Sequence, residues 1–274
     1  MLVSRFWIAV AVAATVLSLP ARAHEFWIEP EAYRVAPQDP LVAHIRVGQE
    51  FKGPSYAFLP RNFSTFVLET GGTRIPVEGT IGDRPALNQR LPQEGLATIV
   101  HATTYSTLNY ETMAKFEKFV THKDALWTLE EHAARGLPDS DFREAYSRQA
   151  KSLVAVGAGA GSDRAVGLVT EIVAEANPYT DDLTAGLPVR VLYQGTPRAD
   201  AQVEIFDKSP GGDVEITLTR TDADGRALIP VTPGHSYLLD AVVLRKPSAE
   251  VSRSLGVVWE SLWASLTFAV PGPQ

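Results

Sequence analysis

The 274-residue chain contains no cysteine. That absence removes disulfide bridges, thiolate metal centres, iron–sulfur clusters and cysteine nucleophiles together. Basic residues are also short: 25 Lys and Arg face 32 Asp and Glu, for a formal net charge of −7. An acidic chain offers no phosphate-neutralising surface, so nucleic-acid recognition is not expected, and cations suit it better than anions. Long apolar runs are missing as well. The most apolar segment, Phe6 to Leu19, falls short of the roughly 18 to 20 residues a bilayer crossing needs, and no later segment reaches that length. Serine and histidine occur without a Gly-x-Ser-x-Gly elbow, so a hydrolase triad has no support.

What is present begins with processing chemistry. Arg5, the apolar run Phe6 to Leu19, Pro20 and the small-residue pattern Ala21-Arg22-Ala23 read as a Sec signal peptide over residues 1–23. The expected location is periplasmic or secreted, with no membrane span once the leader is removed. Export of a chain without cysteine suits a bacterial periplasm and requires the fold to be held by its core alone. Hydrophobic residues make up 45% of the chain, enough for such a core.

The 20 Gly and 19 Pro are dispersed, which predicts many turns and many short strands. Alternation of apolar and polar residues predicts strands from His24 to Glu29 and from Leu41 to Val47, with further strands near Phe63–Glu69, Arg74–Val77 and Leu96–Ala102. Gly71-Gly72 is placed to turn a hairpin. The period then changes. Met113, Phe116, Val120, Trp127 and Ala134 recur at helical spacing, and Asp124 is placed to cap a second helical piece. Ser140 is placed to cap a third helix carrying Phe142, Tyr146, Gln149 and Leu153, stopped by Gly157 to Gly161. The fold class expected is therefore mainly β. It comprises a β-rich N-terminal domain (24–176) with a helical insert at about 111–156, a polar linker at 177–186, and a small β-sandwich at 187–274, where turn signals recur every eight to twelve residues or so.

Several segments taken together carry a resemblance. They are His24-Glu25-Phe26-Trp27-Ile28-Glu29-Pro30, Phe142 to Tyr146 running into Ala150-Lys151-Ser152-Leu153, Ala176-Asn177-Pro178-Tyr179, Thr221 to Arg226, and Trp259 to Phe268. This set resembles domain of unknown function family 4198 over nearly all of the chain after the leader. The resemblance implies an exported protein with a β-rich N-terminal region and an Ig-like or prealbumin-like C-terminal domain, linked to nickel or cobalt uptake. The only residue it carries over is His24.

Cleavage after Ala23 would leave His24 with a free α-amine and an imidazole Nδ1 spaced to chelate one ion in a six-membered ring. Amine and imidazole titrate near 8 and 6.5 respectively, so a metal displaces few protons at neutral pH. Such nitrogen donors suit Cu(II), Ni(II), Co(II) or Zn(II), with copper highest in affinity. A second histidine would complete a brace. His101, at a strand end beside Tyr105 and a Thr/Ser-rich loop, ranks first; His44, on the outward face of a strand, and His122, in the helical insert, follow.

Blander readings stand beside these. Any cleaved chain has some first residue, and His101 is equally a hydrogen-bonded surface histidine. His132 complements a helix end and His235 sits in a turn. Asp222-Ala223-Asp224-Gly225 starts like a calcium loop, but the positions that follow are the apolar run Ala227 to Val231, so a hairpin turn is the expectation. Trp259 and Trp263 read as core rather than as a carbohydrate platform. The leading expectation is a binding protein without turnover that holds a divalent transition metal and partners a metal transporter or envelope protein. The alternatives are a copper-brace oxidative enzyme and a structural or interaction module of the cell envelope.

Overall fold

The computed structural model describes residues 24–272. The expected signal peptide, 1–23, lies outside the described residues. The first part of the chain forms β1 (Glu25–Pro30), β2 (Arg34–Val35), β3 (Pro40–Gly48), β4 (Ser55–Tyr56), β5 (Phe63–Thr70), β6 (Thr73–Pro76), β7 (Leu87–Arg90), β8 (Gly95–Thr103) and β9 (Ser106–Tyr110). Two helices follow, α1 (Met113–His122) and α2 (Trp127–Ala134), and then β10 (Phe142–Val156) and β11 (Thr170–Ala174). The remainder forms β12 (Leu187–Tyr193), β13 (Thr196–Pro197), β14 (Gln202–Lys208), β15 (Val214–Arg220), β16 (Arg226–Ile229), β17 (Ser236–Arg245), α3 (Ala249–Leu255) and β18 (Trp259–Ala269). The protein is mainly β, with several sheets and a small helical insertion.

Local chemistry explains most of these elements. Gly71 and Gly72 form a two-residue loop between β5 and β6, both at positive φ (53° and 81°), as the mirror-image turn of a tight hairpin demands. Gly136, at φ 61°, ends α2 in the left-handed conformation. Asp124 does not cap α2; its own backbone has φ 55°, and its carboxylate pairs with Arg220 at 2.5 Å. Asp222 organises a turn, as expected of a non-calcium sequence, its Oδ1 accepting from the backbone N–H of Asp224 and Arg226. That turn joins β15 to β16, which lie in different sheets, and so is not a hairpin.

A whole element is also overturned. The segment from Phe142 to Leu153 is not a helix but most of the 15-residue strand β10, so the helical insert ends with α2. The spacing of Phe142, Tyr146, Gln149 and Leu153 imitates a helix because β10 is central and covered along its length, which obscures the period-2 signal. Polar side chains survive there by being paired: Lys151 is fully buried with its Nζ 2.8 Å from Asp163.

β10 is the spine of the molecule. It pairs in parallel with β18 from Glu144↔Trp259 to Ser152↔Thr267, and antiparallel with β9 and then β8. The resulting ten-stranded sheet runs β15-β14-β17-β18-β10-β8-β5-β6, with β2 and β9 also on β10. Strands from both sides of the expected linker therefore share one sheet. β11, before residues 177–186, pairs with β12 after them, and Asn177 is buried with its Nδ2 donating to Gly159 and Gly161 carbonyls at 2.8 Å. This stretch is an anchored loop rather than a free linker.

Two smaller sheets cover the large one. The sheet of β1, β3, β4 and β7 encloses an apolar core that includes Ile28, Leu41, Leu68, Ile99 and Val154. The sheet of β11, β12, β13 and β16 encloses a second, including Val189, Val203, Leu239 and Phe268. The helices α1 and α2 cap a third, aromatic cluster with Phe116, Phe142, Trp259 and Trp263. Both tryptophans are core residues, as expected.

Candidate functional site

The first small sheet and the ten-stranded sheet part at one end to leave a cavity of about 410 Å³. Period-2 geometry fills its walls: alternate residues of a strand face one way. His24 and Phe26 arrive from the start of β1, His101 and Thr103 from the end of β8, and Glu144, Tyr146 and Arg148 from β10. His24 also borders a shallower neighbouring pocket lined by Lys52 and Tyr56.

His101 is 1% exposed, and neither ring nitrogen makes a well-aligned hydrogen bond, the backbone at His101 and Ala102 giving it only weak support. The rings of Phe63, Phe66 and Phe26 surround it at 4.6, 4.8 and 5.4 Å between centroids. Burial pushes its pKa down to about 3, so the imidazole is neutral at ordinary pH. The reading of His101 as a hydrogen-bonded surface residue is thereby corrected. Tyr105, its neighbour in sequence, donates instead to Glu260 at 2.6 Å.

His24 is held from two sides. Its carbonyl accepts from Arg148 Nη2 at 3.3 Å, and the next residue, Glu25, points the opposite way to meet Lys123 Nζ at 3.5 Å. Lys123 also contacts Glu204 at 2.7 Å and Asp240 at 2.9 Å, and lies over the Trp263 ring, which itself lines the cavity. Burial raises Glu25 to about 7 although the ammonium of Lys123 opposes the shift.

Glu144 is buried and accepts from the hydroxyls of Tyr110, at 2.7 Å, and Ser261. Burial raises it to about 7, outweighing both hydrogen bonds and the nearby charge of Arg148. Arg148 spreads its guanidinium over Tyr146 at 4.6 Å and Phe26 at 5.6 Å, and its Nε has no acceptor.

Two of the four candidate histidines thus share the cavity and two do not. His44 faces away from it, hydrogen-bonding Ser55 at 2.9 Å and Glu31 at 3.1 Å. His122 ends α1 and meets Glu204 at 3.1 Å beside the Lys123 cluster. Neither lines the cavity beside His24. Among the described residues no group of three or more His, Asp or Glu side chains is arranged to hold a metal ion. A third donor at the cavity would be the α-amine of His24, a peptide nitrogen until the chain is cut before it. Glu144, Tyr146 and Arg148 escaped the sequence reading because a helix would scatter them. Read as a strand, their i, i+2, i+4 spacing puts all three on one face.

The architecture is a mainly β fold with a cavity between two of its sheets. The chain belongs to the family described as domain of unknown function (DUF4198), whose model matches residues 21–245. No curated protein matches it. Among solved structures, the tetra-tandem repeat in the extending region of a large adhesion protein is 9% identical, covers 90% of this chain and has a TM-score of 0.23. This chain spans about half (49%) of that one. The D0-D1 domain of intimin is 13% identical, with 88% of this chain and 97% of that chain covered and a TM-score of 0.19. Among the described residues no helix is long and apolar enough to cross a membrane.

Proposed function

We infer that this is an exported protein that binds a divalent transition metal at the cavity, through the amine and imidazole of His24 and the imidazole of His101, for metal uptake or handling. The observation that carries this reading is His101 itself. A buried imidazole with two unpartnered nitrogens is expensive to keep, and it lines the same cavity as His24. Its depressed pKa leaves the lone pair free for a metal at neutral pH, as coordination requires. Copper heads the affinity order for such nitrogen donors, ahead of nickel, cobalt and zinc. The Arg148 contact to the His24 carbonyl and the Glu25–Lys123 pair fix the chain immediately after His24.

The test starts from the exported protein. N-terminal sequencing should return His24 as the first residue, and calorimetry on the stripped protein should show one equivalent of copper or nickel bound. His101→Ala should weaken that binding at least tenfold and His24→Ala more, while His44→Ala, outside the cavity, should leave it unchanged. Unaltered binding in His101→Ala, or a mature chain beginning elsewhere, would overturn the assignment.

A further inference from the structure

An ion bound by nitrogen ligands needs little space; even a water molecule's share of liquid volume is only roughly 30 Å³. The cavity at about 410 Å³ is far larger, and lies within the roughly 300–1,000 Å³ usual for small-molecule sites. Its walls are divided. Phe26, Phe63, Ile45 and Leu108 offer an apolar surface, whereas Arg148 brings a positive charge.

That charge is poorly matched by the protein. Among the described residues, no carboxylate oxygen lies within the 4.0 Å of an ion pair from the Arg148 guanidinium. One Nη2 bond to the His24 carbonyl, the side chain of Tyr146 and the aromatic faces of Tyr146 and Phe26 are its compensation, which burial outweighs, and Nε is sealed from solvent with no acceptor. A guanidinium stacked on rings keeps its in-plane donors, and here the terminal Nη edge, with Nη1 and the second hydrogen of Nη2, is the one left for a carboxylate, its preferred partner. Glu144 lines the same cavity but is committed to Tyr110 and Ser261.

We propose that the cavity binds a small organic carboxylate with an apolar body, the carboxylate on the Arg148 edge and the body against Phe26 and Phe63. The site stands without a metal. If the metal reading also holds, the anion offsets a divalent cation and a guanidinium confined in one cavity, which Glu144 alone cannot balance.

The test is calorimetry of the exported protein with benzoate and hexanoate, and with benzamide and hexanamide as neutral analogues. Each is run on chelator-stripped and on copper-loaded samples. The acids should bind at least tenfold more tightly than the amides. Arg148→Met should remove that preference, and Arg148→Lys, which keeps the charge without the fork, should retain part of it. Circular dichroism checks the fold of each variant, and if Arg148→Met does not fold, the acid–amide comparison and Arg148→Lys decide. Equal binding of acid and amide, no acid binding in either sample, or wild-type acid binding by a folded Arg148→Met would each overturn the proposal. Acid binding without copper binding sinks the metal assignment alone, and copper binding without acid binding sinks this one alone.

Discussion

Glu144 shows how burial converts a single side chain into a pH-dependent load on the fold. Its pKa of about 7 in the folded protein lies above the ordinary 4.5, so between those values the folded state holds more protons than the unfolded. Stability contributed by this group is complete below about pH 4.5 and falls as pH rises through 7. The difference corresponds to at most about 3 kcal/mol. Glu144→Gln, which cannot ionise and can still hydrogen-bond Tyr110 and Ser261, should gain on the wild type progressively between pH 4.5 and 8. Urea denaturation across that range checks it, and parallel pH profiles for the two proteins would refute the assignment. At this scale the sequence was informative where position decided the matter. His24 follows the cleavage pattern and His101 ends an apolar strand, and both reach the cavity. His44 and His122, ranked behind them, remained candidates because no local pattern reveals that Ser55, Glu31 and Glu204 would engage their rings.

At the scale of elements, α1 is tied to the sheets by the residue that ends it. Lys123 follows the helix and directs its ammonium to Glu25 of β1, Glu204 of β14 and Asp240 of β17, with its side chain only 3% exposed. Removing one partner of a buried ionic cluster leaves the others uncompensated, at a cost of about 3–5 kcal/mol. Lys123→Met should lower stability by that order in denaturant titration and speed amide exchange at the start of β1, where Glu25 loses its anchor. Unchanged exchange there would separate α1 from the cavity. The helices α1 and α2 were legible from periodicity, and so were the strands with one covered face, such as β3. β10 was not. A central strand carries side chains on two packed faces, so Glu144, Lys151 and Phe142 answer to three-dimensional partners rather than to a local period. The helix α3 leaves little trace in the sequence for the opposite reason. It is short and without buried residues, and only Ser248, accepting from the Val251 N–H, and Gly256 at φ 63° mark its ends.

Over the whole molecule, the pairing of β10 with β18 decides how the chain unfolds. Those strands lie more than a hundred residues apart and run parallel, so neither a hairpin turn nor a crossover motif announces them in the sequence. A boundary at 177–186 follows naturally from composition, yet β10 supplies Leu153 and Ala155 to the same core as Val203, Leu239 and Phe268. β11 adds Ile172 and Ala174 to that core. A fragment of residues 187–274 would lose both strands, uncover those side chains and leave one edge of β18 unpaired, an invitation to association. The protein should therefore unfold in one cooperative transition, with calorimetric and van't Hoff enthalpies agreeing. The isolated fragment should fail to give a dispersed amide spectrum as a monomer. Two resolved transitions, or a fragment that folds alone, would mean that the sheet joins two independently stable domains. In that case the cavity, whose walls come from β1, β3, β4, β5, β8, β9, β10 and the loops near them, would owe nothing to the C-terminal strands beyond Trp263.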